Sequence, residues 1–333
     1  MTLCKRYRLE KQMFSYKKHK NHSGIILCLE VVKFKYLLLF LCVMDFEVLY
    51  TADIHGNLVQ YKKLVDCAIR MNVSAVIVGG DILPKNVPSE EFISGQKEFI
   101  EHILPEIFFP LKGKIPVYLM MGNDDCSANL DLLKEKGKEL YELIHNKRFS
   151  LNKDFDIVGY SFVPITPFGI KDWEKFDFSN IPVDLLAAYK YRKINNYRLD
   201  GVKSTKEGWK YFCFNGRDEL KDSIQKDLSS ELFINSPEKT VYVIHCPPNN
   251  TTLDIIMNGD HVGSLALKRF IEERQPLLTL HGHVHETVHK SGSFKQIIKN
   301  TVSMSPGNHN EGEDLAVLVF NIYDLKNAKR LII

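Results

Sequence analysis

Five short runs of Val, Ile, Leu and Tyr end abruptly in residues of the kinds that bind metals, and this repetition constrains the fold more than any other feature. Residues 46–51 run into Asp53-Ile54-His55-Gly56-Asn57, residues 75–78 into Gly79-Gly80-Asp81, and residues 116–121 into Gly122-Asn123-Asp124-Asp125. Residues 240–244 stop at His245, and residues 276–280 at His281-Gly282-His283-Val284-His285. Buried strands read as continuous apolar runs, and open α/β sheets place their sites just beyond the carboxyl ends of the strands. One sheet edge therefore gathers carboxylates, an asparagine and several imidazoles, the inventory of a two-metal hydrolase.

The segments between these runs have helical periodicity. Residues 58–71 carry Leu64, Val65, Ala68 and Ile69 at helical spacing. Ser89-Glu90-Glu91 reads as a helix start ahead of Phe92, Phe99, Ile100 and Ile103, and residues 127–144, 218–233 and 264–274 read as further helices. Residues 155–164, 302–305 and 315–323 read as additional strands. The alternation is that of a layered α/β domain over residues 44–333. From about 165 to 217 the pattern breaks into an aromatic, basic stretch without periodicity. It is too aromatic for disorder and is expected to be a loop-and-helix insertion folded over the sheet edge.

Charge is unevenly placed. Residues 1–43 carry nine Lys/Arg against Glu10 and Glu30, so of the net +3 the rest of the chain accounts for −4. A mildly acidic body gives no reason to expect duplex nucleic acid as a partner. The seven cysteines are scattered without a C-x-x-C pair, which argues against a zinc ribbon or disulfide framework and for a reducing, cytoplasmic setting. Residues 1–43 are open to three readings: an extension or misassigned start, a targeting segment, or added structure. Glu30, Lys33 and Lys35 interrupt the apolar run at 25–44, so no transmembrane anchor is expected there.

Asp53-x-His55 and His283-x-His285 share an i, i+2 spacing, which in extended backbone puts both side chains on one face. Carboxylate oxygens mixed with imidazole nitrogens suit Mn, Fe or Zn. Asp81, with two oxygens and a Gly-Gly turn before it, is the natural bridge between two ions, and Asn123 adds an oxygen without charge.

In order, D-x-H, G-D, G-N-x-D, a lone His after a strand, and G-H-x-H resemble the calcineurin-like metallophosphoesterase superfamily over about residues 44–323. The resemblance implies a four-layer αββα β-sandwich flanked by helices, and a dinuclear centre. One ion would take Asp53, His55, Asp81 and His285, the other Asp81, Asn123, His245 and His283. A water shared by the ions would be the nucleophile on a small, nucleotide-like phosphoester. His281 has no ligand role in that pattern, and Gly307-Asn308-His309 falls out of order and reads as a turn.

One position departs from the pattern. Many members read G-N-H-D or G-N-H-E, with the His serving the leaving group, and Asp124 stands there instead. Three outcomes fit: Asp124 or another residue, His261 being a candidate, supplies the proton; the leaving group needs none; or turnover is slow. Relatives lacking this His resemble small phosphodiesterases, so a diester is expected. The alternatives are a phosphomonoesterase, a protein phosphatase, or a non-catalytic scaffold.

Overall fold

A computed structural model describes residues 45–85, 89–180, 198–214, 221–309 and 312–333. The expected extension at 1–43 lies outside the described residues, as do parts of the insertion and the first three residues of the helix expected at 218–233. β1 (Glu47–Thr51), α1 (Leu58–Met71) and β2 (Ala75–Gly79) come first. A helical run follows, made of α2 (Phe92–Glu98), a π turn at Phe99–Ile103 and α3 (Leu104–Phe108). Next are β3 (Val117–Met120), α4 (Leu130–Lys136), β4 (Glu142–Leu143), β5 (Arg148–Ser150) and β6 (Asp156–Tyr160). β7 (Val163–Pro164) precedes the insertion, which contributes β8 (Glu174–Lys175) and a hairpin of β9 (Asp200–Thr205) and β10 (Gly208–Cys213). After α5 (Ile224–Leu228) and α6 (Glu231–Ile234) come β11 (Thr240–Ile244), α7 (Leu265–Arg274), β12 (Leu278–Leu280) and α8 (Thr287–Ser291). β13 (Lys295–Ile298), β14 (Thr301–Met304), β15 (Ala316–Asn321) and β16 (Asp324–Ile332) complete the order.

Two six-stranded sheets result, in the orders β16-β15-β1-β2-β3-β4 and β13-β14-β12-β11-β6-β5. β1 to β4 run parallel in the first sheet and β6, β11, β12 and β14 in the second, so the carboxyl ends of β1, β2 and β3 share one edge, as do those of β11 and β12. Period-two alternation explains why these strands read as unbroken apolar runs. Val48, Tyr50, Ile77, Val241 and Val243 fill the layer between the sheets. Leu49, Val76 and Val78 face α1 to α4 on one outer side, while Tyr242 and Ile244 face α5 to α7 on the other. Both faces are covered, and the four-layer αββα arrangement expected from sequence is the one observed.

Five expectations need correction. The helix expected at 127–144 begins as a 3₁₀ turn and ends at Lys136. Tyr141 folds back to donate to the Leu133 carbonyl at 2.9 Å, and its ring leaves no room for a Cβ at Gly137. The helix expected at 218–233 is, over its described part, broken into α5 and α6, because Ser230 is extended and starts the second helix. The strand expected at 155–164 divides into β6 and β7, which belong to different sheets, while the described part of the expected loop-and-helix insertion holds loops, β8 and the β9–β10 hairpin. Ile69 lies on the solvent flank of α1, beyond a stripe formed by Tyr61, Leu64, Val65 and Ala68.

Candidate metal centre

The loops after β1, β2 and β3 meet those after β11 and β12, and backbone bonds stitch them together. Asp53 N–H donates to the Gly80 carbonyl at 3.0 Å, His55 N–H to the Asp81 carbonyl at 2.9 Å, and Gly282 N–H to the His245 carbonyl at 3.0 Å. Asp53 (φ 59°), His55 (50°), Asp81 (52°) and His283 (67°) all take left-handed backbone. Such conformations cost about 1–3 kcal/mol each and persist where the surroundings demand them. The premise of extended backbone at the i, i+2 pairs was therefore wrong. Asp53 and His55 converge through left-handed turns, whereas His283 and His285 diverge into different groups. Gly122 permits the crowding, since a Cβ there would sit 2.2 Å from Asp81 Oδ1.

Two groups of donor atoms form. In the first, ligand atoms of Asp53, His55, Asp81 and His285 all lie within 4.8 Å of one another. His55 Nε2 is 3.2 Å from His285 Nε2 and 3.8 Å from Asp81 Oδ2, and His285 Nε2 is 3.8 Å from Asp53 Oδ1. In the second, His245 Nε2 lies 3.3 Å from Asp81 Oδ2 and 3.1 Å from Asn123 Oδ1, which is 2.6 Å from His283 Nδ1. The structure thus brings together all seven residues named as ligands from sequence. Asp81 joins the groups through Oδ2, and its Oδ1 accepts the Asp124 N–H at 2.9 Å.

The donor set fits cations. Asp53 Oδ2 and His55 Nδ1 are buried without a hydrogen-bond partner, a costly state for polar atoms. Burial holds His55 at about 4 and His283 at about 3, and also lowers His285, so these rings are neutral and have a lone pair to offer. His245 differs: burial would lower it, but Asp81 and Asp53 overcome that and push it up to about 10. The aspartates call for positive charge at its Nε2. With Nδ1 donating to the Gly79 carbonyl at 2.9 Å, Nε2 is the atom left to meet a cation. Asp81 is held well below the usual carboxylate range by His245 and His55 despite its burial.

A family model described as calcineurin-like phosphoesterase matches residues 46–287. The chain belongs to this family. One solved crystal structure, 15% identical, superposes with a TM-score of 0.52 and covers 87% of this chain and 99% of its own. The TT1561 protein of Thermus thermophilus (16% identity, 86% of this chain, 98% of that one) gives 0.48. A dimetal phosphatase from Danio rerio (13% identity, 83% and 92%) gives 0.47. The likeness to the first is one of fold alone. No curated protein matches the chain.

Around this calcineurin-like centre the remaining candidates separate. Asp124 lies beside it, with Oδ1 accepting from Asn123 Nδ2 at 2.8 Å and Oδ2 3.9 Å from His55 Nδ1. Burial, then repulsion from Asp81, push its carboxyl up to about 7. His261 is held by Asp254, 2.7 Å from its Nδ1, and does not line the cavity over the centre. His281 is buried, with Nδ1 at 2.9 Å from the Ile244 and Cys246 carbonyls and Nε2 at 2.8 Å from Thr279 Oγ1.

Two positioning residues have no role in the sequence reading, although Asp125 closes its G-N-x-D motif. Asp125 accepts backbone N–H groups from Ile82 (3.0 Å), Leu83 (2.8 Å) and Gly122 (2.8 Å), clamping the second loop to the third. Asn308, expected only in a turn, is buried and donates to the Asp53 carbonyl at 3.0 Å, strapping the first loop. The repeated Gly-Asn-His wording at 307–309 was the one available signal for it.

Proposed function

We propose that the chain is a phosphoester hydrolase dependent on two divalent ions (Mn, Fe or Zn), acting on diesters in preference to monoesters. The observation that carries the reading is the convergence of two donor groups on Asp81 Oδ2, with a buried, unpartnered Asp53 oxygen beside them. When bound, such cations acidify a water and neutralise charge developing on the phosphoryl oxygens. Asp53, His55 and His285 would hold the first ion, Asn123, His245 and His283 the second, with Asp81 shared. The chain supplies a site already strained and hydrogen-bonded into place, so little reorganisation accompanies binding.

Preference for a diester follows from charge. The cavity over the centre is lined by four carboxylates, Asp81, Glu90, Asp124 and Glu286, and among the described lining residues Lys85 is the single cation. Near neutral pH a monoester carries close to two negative charges and a diester one. Bound ions would attract both esters, so the preference rests on Glu90 and Glu286, which take no part in the donor groups and repel the doubly charged monoester more. Lys85 acts on the same space, since its charge contributes to lowering His55, His285 and Asp124. We assign it to the unesterified phosphoryl oxygens. We assign to Asp124, rather than to His261, the service of the leaving group or the orientation of His55, because Asp124 lines the cavity and His261 does not. A cytoplasmic setting is part of the proposal and is supported by cysteines that form no disulfide among the described residues; separately, no described helix is long and apolar enough to cross a membrane.

The test is metal analysis of the purified chain together with turnover of bis(4-nitrophenyl) phosphate and 4-nitrophenyl phosphate. Two ions per chain, activity lost to chelator and restored by metal, and a higher kcat/KM for the diester are expected. A protein that neither holds nor acquires metal, and cleaves neither ester, belongs to the scaffold alternative.

A further inference from the structure

The cavity over the metal centre, about 840 Å³, is lined by two unlike sets of residues. One is the ligand cluster with Lys85. The other is formed by Phe92, Phe168, Ile170, Val202 and Trp209, four of them supplied by the insertion. We propose that this second wall receives a planar aromatic substituent of the substrate, so that the diester cleaved is a nucleoside or aryl ester. The inference rests on the phosphoester reading and adds the class of group attached to phosphorus.

Three observations carry it. The aromatic rings are presented to the cavity and not consumed by the core: Phe168 is 51% and Trp209 36% exposed, while Phe92 and Trp209 have ring centroids 6.1 Å apart, tilted by 46°. Large apolar side chains exposed together in a concave site that also holds a few polar groups are what a ligand pocket requires. Second, the wall is fixed relative to the metal loops. Asp172 accepts the Ser204 N–H at 2.8 Å and the Ser204 hydroxyl from β9, and the Ser127 N–H at 2.7 Å from the turn following Asn123-Asp124-Asp125. Trp173 Nε1 donates to the Asp125 carbonyl at 2.7 Å, and Lys171 N–H to the Val202 carbonyl at 2.8 Å. Gly201 lets the hairpin come this close, since a Cβ there would lie 2.2 Å from the Gly169 carbonyl oxygen. A rigid ring at a set distance from the phosphoryl site recognises a flat group without ordering a loop. Third, the volume falls within the range of cavities that enclose small organic ligands, which leaves room for a ring system beside the phosphate.

The experiment compares thymidine 5′-monophosphate, phenyl phosphate and methyl phosphate binding to the metal-loaded protein by calorimetry. Their phosphate heads match and their substituents differ. Fluorescence gives a parallel readout, because of the two tryptophans Trp173 is buried and Trp209 is exposed to the cavity. The aromatic ligands are expected to bind at least about tenfold tighter than methyl phosphate and to quench tryptophan emission saturably. Trp209→Ala should weaken them roughly 5- to 150-fold, the range for one lost stacking partner. Trp209→Phe should restore most of that, and Phe168→Ala checks the wall with a second variant. Preference for the nucleotide over phenyl phosphate assigns a nucleoside, and equal binding an aryl group. Three equal affinities, or aromatic binding indifferent to both substitutions, overturn the inference while leaving diester turnover to stand by itself. Loss of that turnover in the wild type would instead remove the phosphoester reading.

Discussion

Asp125 offers the clearest perturbation, because its carboxylate touches no candidate ligand side chain and yet joins the two loops that carry Asp81 and Asn123. In Asp125→Ala the N–H groups of Ile82, Leu83 and Gly122 lose their acceptor in a fully buried place. Each orphaned group costs about 1–3 kcal/mol, and water admitted to the vacated space recovers part, so about 3–6 kcal/mol is expected. With about 2.1 cal/mol/K of unfolding entropy per residue over roughly 290 residues, that lowers Tm by about 5–10 °C. Asp125→Asn keeps one oxygen for the pair Ile82 and Gly122 but turns its amide against Leu83, so about a third to a half of the effect should remain. The assay is thermal unfolding of chelator-treated protein, followed by metal titration. Metal affinity should drop roughly 10- to 100-fold, as for loss of a group that orients ligands. A Tm shift in Asp125→Ala below about 2 °C with unaltered metal affinity would show that the loops hold their shape without the clamp.

Asp81→Asn should abolish phosphodiester turnover and reduce bound metal at both positions, as metal analysis would show; near-normal turnover would refute the sharing of Asp81. Asp124→His should raise monoester turnover if a proton donor limits the rate, and an unchanged kcat would mean another group fills that role. Asp124→Asn should instead lower metal affinity several-fold if the carboxylate's work is to orient His55, which a titration followed by kcat at saturating metal separates. His145 gives a pH prediction away from the centre: burial lowers it to about 3, and its Nδ1 accepts the Ser161 N–H at 3.0 Å, so the folded state needs it neutral. Its contribution is complete above about pH 6.5 and is lost as pH falls from there towards 3, at up to about 1.4 kcal/mol per pH unit. The gap in urea midpoint between wild type and His145→Asn should therefore narrow between pH 7.5 and 5.5, and a constant gap would refute the assignment.

The parts of the fold legible in the sequence are those covered on both faces. β1, β2, β3, β11 and β12 present apolar residues to two layers at once, so no polar alternation breaks their runs. The edges were not legible for the opposite reason. β16 (DLKNAKRLI) has exposed or half-exposed side chains at eight of nine positions and is a strand because its backbone pairs with β15. β9 likewise shows no apolar alternation, and its buried Ser204 is explained by Asp172, 32 residues away, and by the Ala128 N–H, 76 residues away. Asn308 and the Asp53 carbonyl are 255 residues apart. Contacts of that kind leave no periodicity for a reader to find.

The centre was legible because metal ligation restricts residue types severely, whereas the groups supporting it are ordinary. Asp124 shows where that restriction ends. From sequence it is an absence, a carboxyl where the resemblance implies an imidazole, and the natural question is what donates the proton. In the structure its Oδ2 stands 3.9 Å from the buried, unpartnered Nδ1 of His55. That is too far for a hydrogen bond; brought within reach, an ionised carboxylate would accept from that ring and fix which nitrogen faces the ion, a task a protonated acid performs poorly. The two roles require opposite charge states. Burial and Asp81 favour the neutral form, whereas Lys85 favours the charged one, and bound cations would add to Lys85. The balance thus moves towards orientation once the centre is loaded, which is why the Asp124→Asn and Asp124→His measurements are informative only at saturating metal.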